Sequence, residues 1–141
     1  MSVRESISQD IVSVLQDIDS PRVGFVSRDP VVVTELANSQ FPCILLSIDR
    51  EERLDQSMQP STTRSGRLLV IIRGYVQSTR IDSARNALIE AIEDRLEEDR
   101  KRNGLALNSR LLDIELIETA PPYGIFTMTY EVFYTYTRGD S

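Results

Sequence analysis

The chemistry open to this chain is limited by what it lacks: it has no histidine and one cysteine, Cys43. Histidine is the commonest general base and neutral metal ligand near pH 7. A nucleophilic cysteine ordinarily relies on a neighbouring base for activation. Neither a Gly-x-x-x-x-Gly-Lys-Ser/Thr phosphate loop nor a Gly-x-Gly-x-x-Gly turn is present. Carboxylates are plentiful, and two of them suffice for glycoside hydrolysis. The best-placed pair, Asp113 and Glu115, stands two apart on a strand whose alternation turns both toward solvent. No enzyme class finds residues to carry it. The expectation is a protein that is not an enzyme and takes no cofactor and no metal.

Cys43 sits in Pro42-Cys43-Ile44-Leu45-Leu46, the start of a buried strand. There it reads as a small core hydrophobe rather than a reactive thiol. The formal charge of −6 disfavours the sequence-independent attraction to phosphate on which nucleic-acid binders rely. Arg64, Arg67 and Arg73 lie close together but without the aromatic interleaving of a base-stacking surface. No direct sequence-specific nucleic-acid binding is expected. All the cations but Lys101 are arginines, whose planar guanidinium suits paired contacts at protein interfaces. No run approaches the roughly 18 apolar residues of a membrane span. Met1 to Ser6 lack the apolar stretch of a secretory signal. A soluble protein made in a cytoplasm, with no membrane partner, is the consequent expectation.

The elements that must position these residues follow from apolar spacing. Ile7, Ile11, Val14, Leu15 and Ile18 form one stripe of a 3.6-residue period, so the sequence predicts a helix over Val3 to Asp19, ended by Pro21. Val23 to Val26 can form a short strand. Pro30 to Ala37 fits one or two helical turns or an extended segment. Cys43 to Asp49 and Arg67 to Ser78 read as strands, the second apolar on both faces and therefore central or covered. Between them Glu51 to Gly66 is polar throughout and reads as a flexible loop. Ile81, Ala84, Leu88, Ala91, Ile92 and Leu96 predict a second helix over Ile81 to Asn103, its last charged turns solvated and Gly104 its stop. Two strands close the chain. Leu111 to Thr119 turns Leu112, Ile114 and Leu116 to one face, and Ile125 to Thr137 carries Phe126, Met128, Tyr130, Val132, Tyr134 and Tyr136 on one face. Ala120 to Gly124 makes the turn between them.

One α/β (α+β) domain over residues 1–141 accounts for all of this. It would be a mixed, mainly antiparallel sheet of about four strands with two long helices packed on one face. The last strand would span about 40 Å, longer than the strand before it. It must bend, pair elsewhere in the domain, or project. Its tyrosines suit a surface apolar along the ring and wet at the hydroxyl. An ordinary core strand and a subunit interface both fit that description.

In layout the chain resembles the tail terminator (tail completion) proteins of tailed bacteriophages. The likeness runs through the first amphipathic helix, Phe41-Pro42-Cys43-Ile44-Leu45-Leu46-Ser47-Ile48, the polar loop, Leu68-Leu69-Val70-Ile71-Ile72-Arg73-Gly74-Tyr75-Val76, a long helix, and a closing hairpin ending Tyr130-Glu131-Val132-Phe133-Tyr134. Neck and minor tail proteins share much of the pattern. The resemblance implies a virion structural protein at the tail–neck junction, made in the host cytoplasm. It would form a homo-oligomeric ring, usually of about six subunits, that caps the tail tube and offers a surface to the head connector. On that reading the interface residues are Arg53, Asp55, Arg64, Arg67, Arg73, Tyr75, Tyr134 and Tyr136. The polar loop would border the lumen or an axial face, and the end of the last strand would lie at the subunit seam. A rival of another class is a dimeric small-molecule-binding regulatory domain.

Overall fold

The computed structural model of the chain describes residues 2–29, 31, 35–53, 63–118 and 120–137. Helix α1 spans Val3–Gln16, and the Ser2 hydroxyl oxygen caps it by accepting the Glu5 N–H at 3.0 Å. Ile7, Ile11 and Leu15 are fully buried along its inner stripe. The helix stops short of the expected Asp19: the Asp17 and Ile18 N–H groups turn back to the Val14 and Leu15 carbonyls, a tighter last turn that ends it at Gln16. A tight turn closed by the Asp19–Arg22 bridge follows, and Ile18 still reaches the core from it.

Strand β1 (Phe25–Ser27) pairs in parallel with β2 (Cys43–Arg53), a 3-10 turn at Asn38–Gln40 lying between them in sequence. Residues 30 and 32–34 of the ambiguous segment lie outside the described residues. β2 pairs antiparallel with β3 (Thr63–Gln77). Helix α2 (Ile81–Glu97), β4 (Asn108–Ile117) and β5 (Tyr123–Thr137) complete the chain. The sheet order is β1-β2-β3-β5-β4. Both helices share one core with the same sheet face, so the fold is the expected α+β arrangement with five strands rather than four.

Four expectations change in detail. The stretch read as a flexible loop over 51–66 is partly sheet: β2 runs on to Arg53 and β3 begins at Thr63, pairing Glu51 with Leu68 and Arg53 with Gly66. Thr63 to Gly66 in turn pair with Thr137 to Tyr134 of β5, so long-range pairing orders a sequence too polar to order itself. Residues 54–62, Asp55 among them, lie outside the described residues. Helix α2 ends six residues before Asn103, because the Asp99 carboxylate accepts the Lys101 and Asn103 N–H groups at 3.2 and 2.6 Å. Arg102 (φ 49°) and Asn103 (φ 59°) then take left-handed backbone.

The charge run at the end of that helix is not uniformly solvated. Arg102 is fully buried, donating to the Leu96 carbonyl at 2.7 Å and to the Asp99 carbonyl, and pairing with Asp10 of α1 at 3.3 Å. It satisfies the Leu96 carbonyl in the last turn of α2 and adds a second donor to the Asp99 carbonyl, which also takes the Arg102 N–H. In β4 a bulge between Leu111 and Asp113 shifts the alternation. Leu111 and Ile114 face the core, whereas Leu112 and Leu116 are 41% and 52% exposed.

β5 neither bends away nor projects: it pairs with β3 over all 15 residues of each strand. Two glycines of β3 make room for its aromatic rings. Gly74 lies opposite Phe126 and Gly66 opposite Tyr134, and a Cβ on Gly74 would fall 2.1 Å from the Phe126 ring. Gly74→Ala is expected to destabilise the chain by about 1–3 kcal/mol through overpacking. Equal urea midpoints for variant and wild type would contradict the role of the ring.

Candidate subunit interface

Of the eight residues singled out from the sequence, Asp55 lies outside the described residues, and the other seven separate onto two faces of the sheet. Toward the helices lie Arg53, Arg64, Tyr134 and Tyr136. Register places Arg53 beside Gly66, Gly66 beside Tyr134, and Arg64 beside Tyr136. The Arg53 guanidinium stacks 4.4 Å above the Tyr136 ring, whose centroid is 5.8 Å from that of Tyr134. Glu51 binds Arg4 of α1 at 2.5 Å and Arg53 at 3.5 Å. This end of the sheet is thus tied to the first turn of α1. Tyr134 is fully buried and Tyr136 nearly so. Both rings belong to the core of their own chain, and the Tyr134 hydroxyl has no partner among the described residues.

Arg67, Arg73 and Tyr75 occupy the face turned away from the helices. Here the structure assembles a cluster that the sequence reading passed over. Glu131 is only 1% exposed, and its carboxylate accepts from Arg67 of β3 and from Arg110 of β4 at 2.8 Å. Arg67 also reaches Glu52 of β2 at 3.1 Å, and Arg50 meets Glu52 at 2.7 Å. A row of alternating charge therefore crosses four strands, built from direct and diagonal cross-strand neighbours. In sequence Glu131 looks like one more solvent-facing position in a Thr-rich alternation. Only the registers of β3 and β4 against β5 bring its arginines to it.

Burial alone pushes the Glu131 carboxyl up, but the hydrogen bonds from Arg110 and Arg67 outweigh it and hold the group below its ordinary 4.5. Because the folded value is depressed, the stabilisation is complete above the unfolded value and is lost as pH falls through the folded one.

Arg73 is exposed and lines a cavity of about 150 Å³ with Arg28, Asp29, Leu45, Leu46 and Ser47. Tyr75 is half-buried between Cys43 and Ile125 in register. Six positions of β3, about 20 Å, separate Arg73 from Arg67. The two therefore do not form one patch. Cys43 is fully buried, which pushes its thiol up to about 11, in keeping with a core position.

No family model and no curated protein matches the chain. A solved structure does. A chain in the virion of a native gene transfer agent (GTA) particle superposes with a TM-score of 0.52 at 12% identity. The match covers 96% of this chain and 92% of that one. At this identity the likeness is one of fold.

Glu131→Gln is expected to cost about 2 kcal/mol at pH 7, the scale of hydrogen bonds to a charged group. The gap from wild type should narrow as pH falls below 4.5, where the unfolded chain's carboxyl takes up a proton before the folded one does. An equal gap at pH 7 and pH 3 in urea titrations would count against the charge row. Cys43 should resist a thiol reagent at pH 8 until the chain is unfolded, and prompt labelling of the native protein would contradict its burial.

Proposed function

We propose that this chain is a structural component of a virion, and that it acts as a tail terminator: a subunit of a homo-oligomeric ring that caps the tail tube and presents a surface to the head connector. The observation that carries the reading is the fold match to a virion particle across nearly the full length of both chains. The resemblance in layout to tail terminators points the same way, and supplies the finer role at the tail–neck junction. On this reading the chain makes and breaks no bonds. Its work lies in two ring faces and a seam between copies.

A closed ring requires a head-to-tail interface whose rotation returns to the first subunit. The exposed features on this chain suit such contacts better than they suit a ligand site. Among the described residues they are a charged row and single apolar side chains on sheet edges, not a deep apolar pocket with convergent polar groups.

Light scattering over a range of concentrations tests the proposal. A mass near about six times 16.0 kDa, with annular particles by negative-stain microscopy, is the expected result. A dimer whose mass is independent of concentration would instead favour the ligand-binding regulatory domain.

A further inference from the structure

Among the described residues the sheet has two open edges, and they differ. β1 pairs with β2 at Phe25↔Cys43, Val26↔Ile44 and Ser27↔Leu45, while β2 runs on to Arg53. Among the described residues no strand pairs with the outer side of β2 beyond Leu45. At the other end of the sheet, β4 is terminal: among the described residues no strand pairs with its outer side, although the Arg100 and Arg85 side chains donate to the Ser109 and Ile117 carbonyls near its two ends. An unpaired row of N–H and C=O groups is a template for another strand.

The exposed large apolar side chains sit on these same edges. Ile48 (37% exposed) lies on β2 just past the last residue paired with β1. Leu107 (60%), Leu112 (41%) and Leu116 (52%) lie on or immediately before β4. Beside Ile48 is a cavity of about 170 Å³ lined by Ser8, Arg28, Leu46, Ser47 and Ile48. Ser8 is fully buried, and its hydroxyl has no hydrogen-bond partner among the described residues. A buried hydroxyl left unpaired costs free energy that an incoming polar group recovers. The cavity therefore combines an apolar floor, an unused hydroxyl and an adjoining stretch of free backbone.

We infer that the outer edge of β2 and this cavity receive β4 of a second copy of the chain, so that neighbouring sheets join head to tail. β2, β3, β5 and β4 alternate in direction along the sheet. A copy placed alongside in the same orientation therefore presents β4 antiparallel to β2, the more favourable ladder. The added backbone hydrogen bonds supply affinity, a leucine of β4 packed against Ile48 beside the cavity supplies register, and a polar atom of the incoming strand meets the Ser8 hydroxyl. Each edge carries both signs of charge, Arg50 and Glu52 on one and Arg110, Asp113 and Glu115 on the other, so the pairing does not set two like-charged rows against each other. The contact is heterologous, as ring closure demands. The inference rests on the ring reading above and names its seam.

Two variants of the full chain test it. Leu112→Glu/Leu116→Glu spoils the β4 edge, and Ile48→Lys spoils the β2 edge. Each should weaken self-association by at least about tenfold, the effect of losing a buried apolar anchor, while circular dichroism stays that of wild type. Mixed in equal amounts, they retain one sound edge each and should give a complex of two chains that grows no further. If the double variant fails to fold, Leu107→Glu takes its place.

Self-association of the Ile48→Lys chain into a dimer would show β4 pairing with β4, and would overturn the head-to-tail seam. Either variant assembling as wild type does, or a mixture that stays monomeric, would overturn it too, with the ring reading intact. A wild-type chain that is monomeric at every concentration would instead remove the ring reading and this seam with it.

Discussion

The rest of the structure depends on one ladder, the antiparallel pairing of β3 with β5 along all 15 residues of each. It is the widest separation in sequence that the sheet closes, and it sets the register of both flanking strands. On the side facing the helices it stacks Phe126, Met128, Tyr130, Val132 and Tyr134 against Leu68, Val70 and Ile72, all buried. Glycine occurs in β3 where β5 brings a ring, at Gly74 opposite Phe126 and at Gly66 opposite Tyr134. The ring covers the space a side chain would otherwise fill. A slip of one residue would turn every one of these side chains to the other face.

The same ladder explains how polar sequence becomes ordered. Thr63 to Gly66 have little apolar surface to bury, yet they form strand because β5 continues past them and β2 folds back alongside. Where charge is buried, the fold provides partners from separate elements. Glu131 takes one arginine from each neighbouring strand, Arg67 and Arg110. Arg102 takes carbonyls from the end of α2 and a carboxylate from α1. Removing one partner from such a site is costly because the other is left desolvated. These pairs therefore fix how the helices and edge strands sit on the central ladder.

A fold of this kind commits the helices to one face and leaves the other, with both edges, for contacts. The face turned from the helices carries the charge row around Glu131, and the edges carry the isolated exposed leucines and Ile48. Backbone at an edge is generic in what it pairs with, so specificity must come from side chains beside it. For the ring reading, the division of labour is plain. The core holds the subunit, and the edges and outer face meet neighbours.

Local pattern in the sequence determined the parts whose cause is local. The 3.6-residue stripe of Ile7, Ile11 and Leu15, the two-residue alternation of β5, the doubly apolar β3 and the core position of Cys43 all express burial demanded by apolar side chains at fixed spacing. The α+β class followed from them. The tertiary structure decided whatever depended on register. Glu131 became a buried carboxylate, Arg102 a helix-end partner, Leu112 a bulge residue facing solvent, and residues 51–53 and 63–66 strand. Tyr134 and Tyr136, read as seam residues, went into the core of their own chain, while among the described residues the open edges fell to β4 and to β2 beyond Leu45. Spacing along a chain specifies which side chains share a face. Which strand lies opposite, and where pairing stops, is set by contacts among residues far apart in sequence, which no single segment encodes.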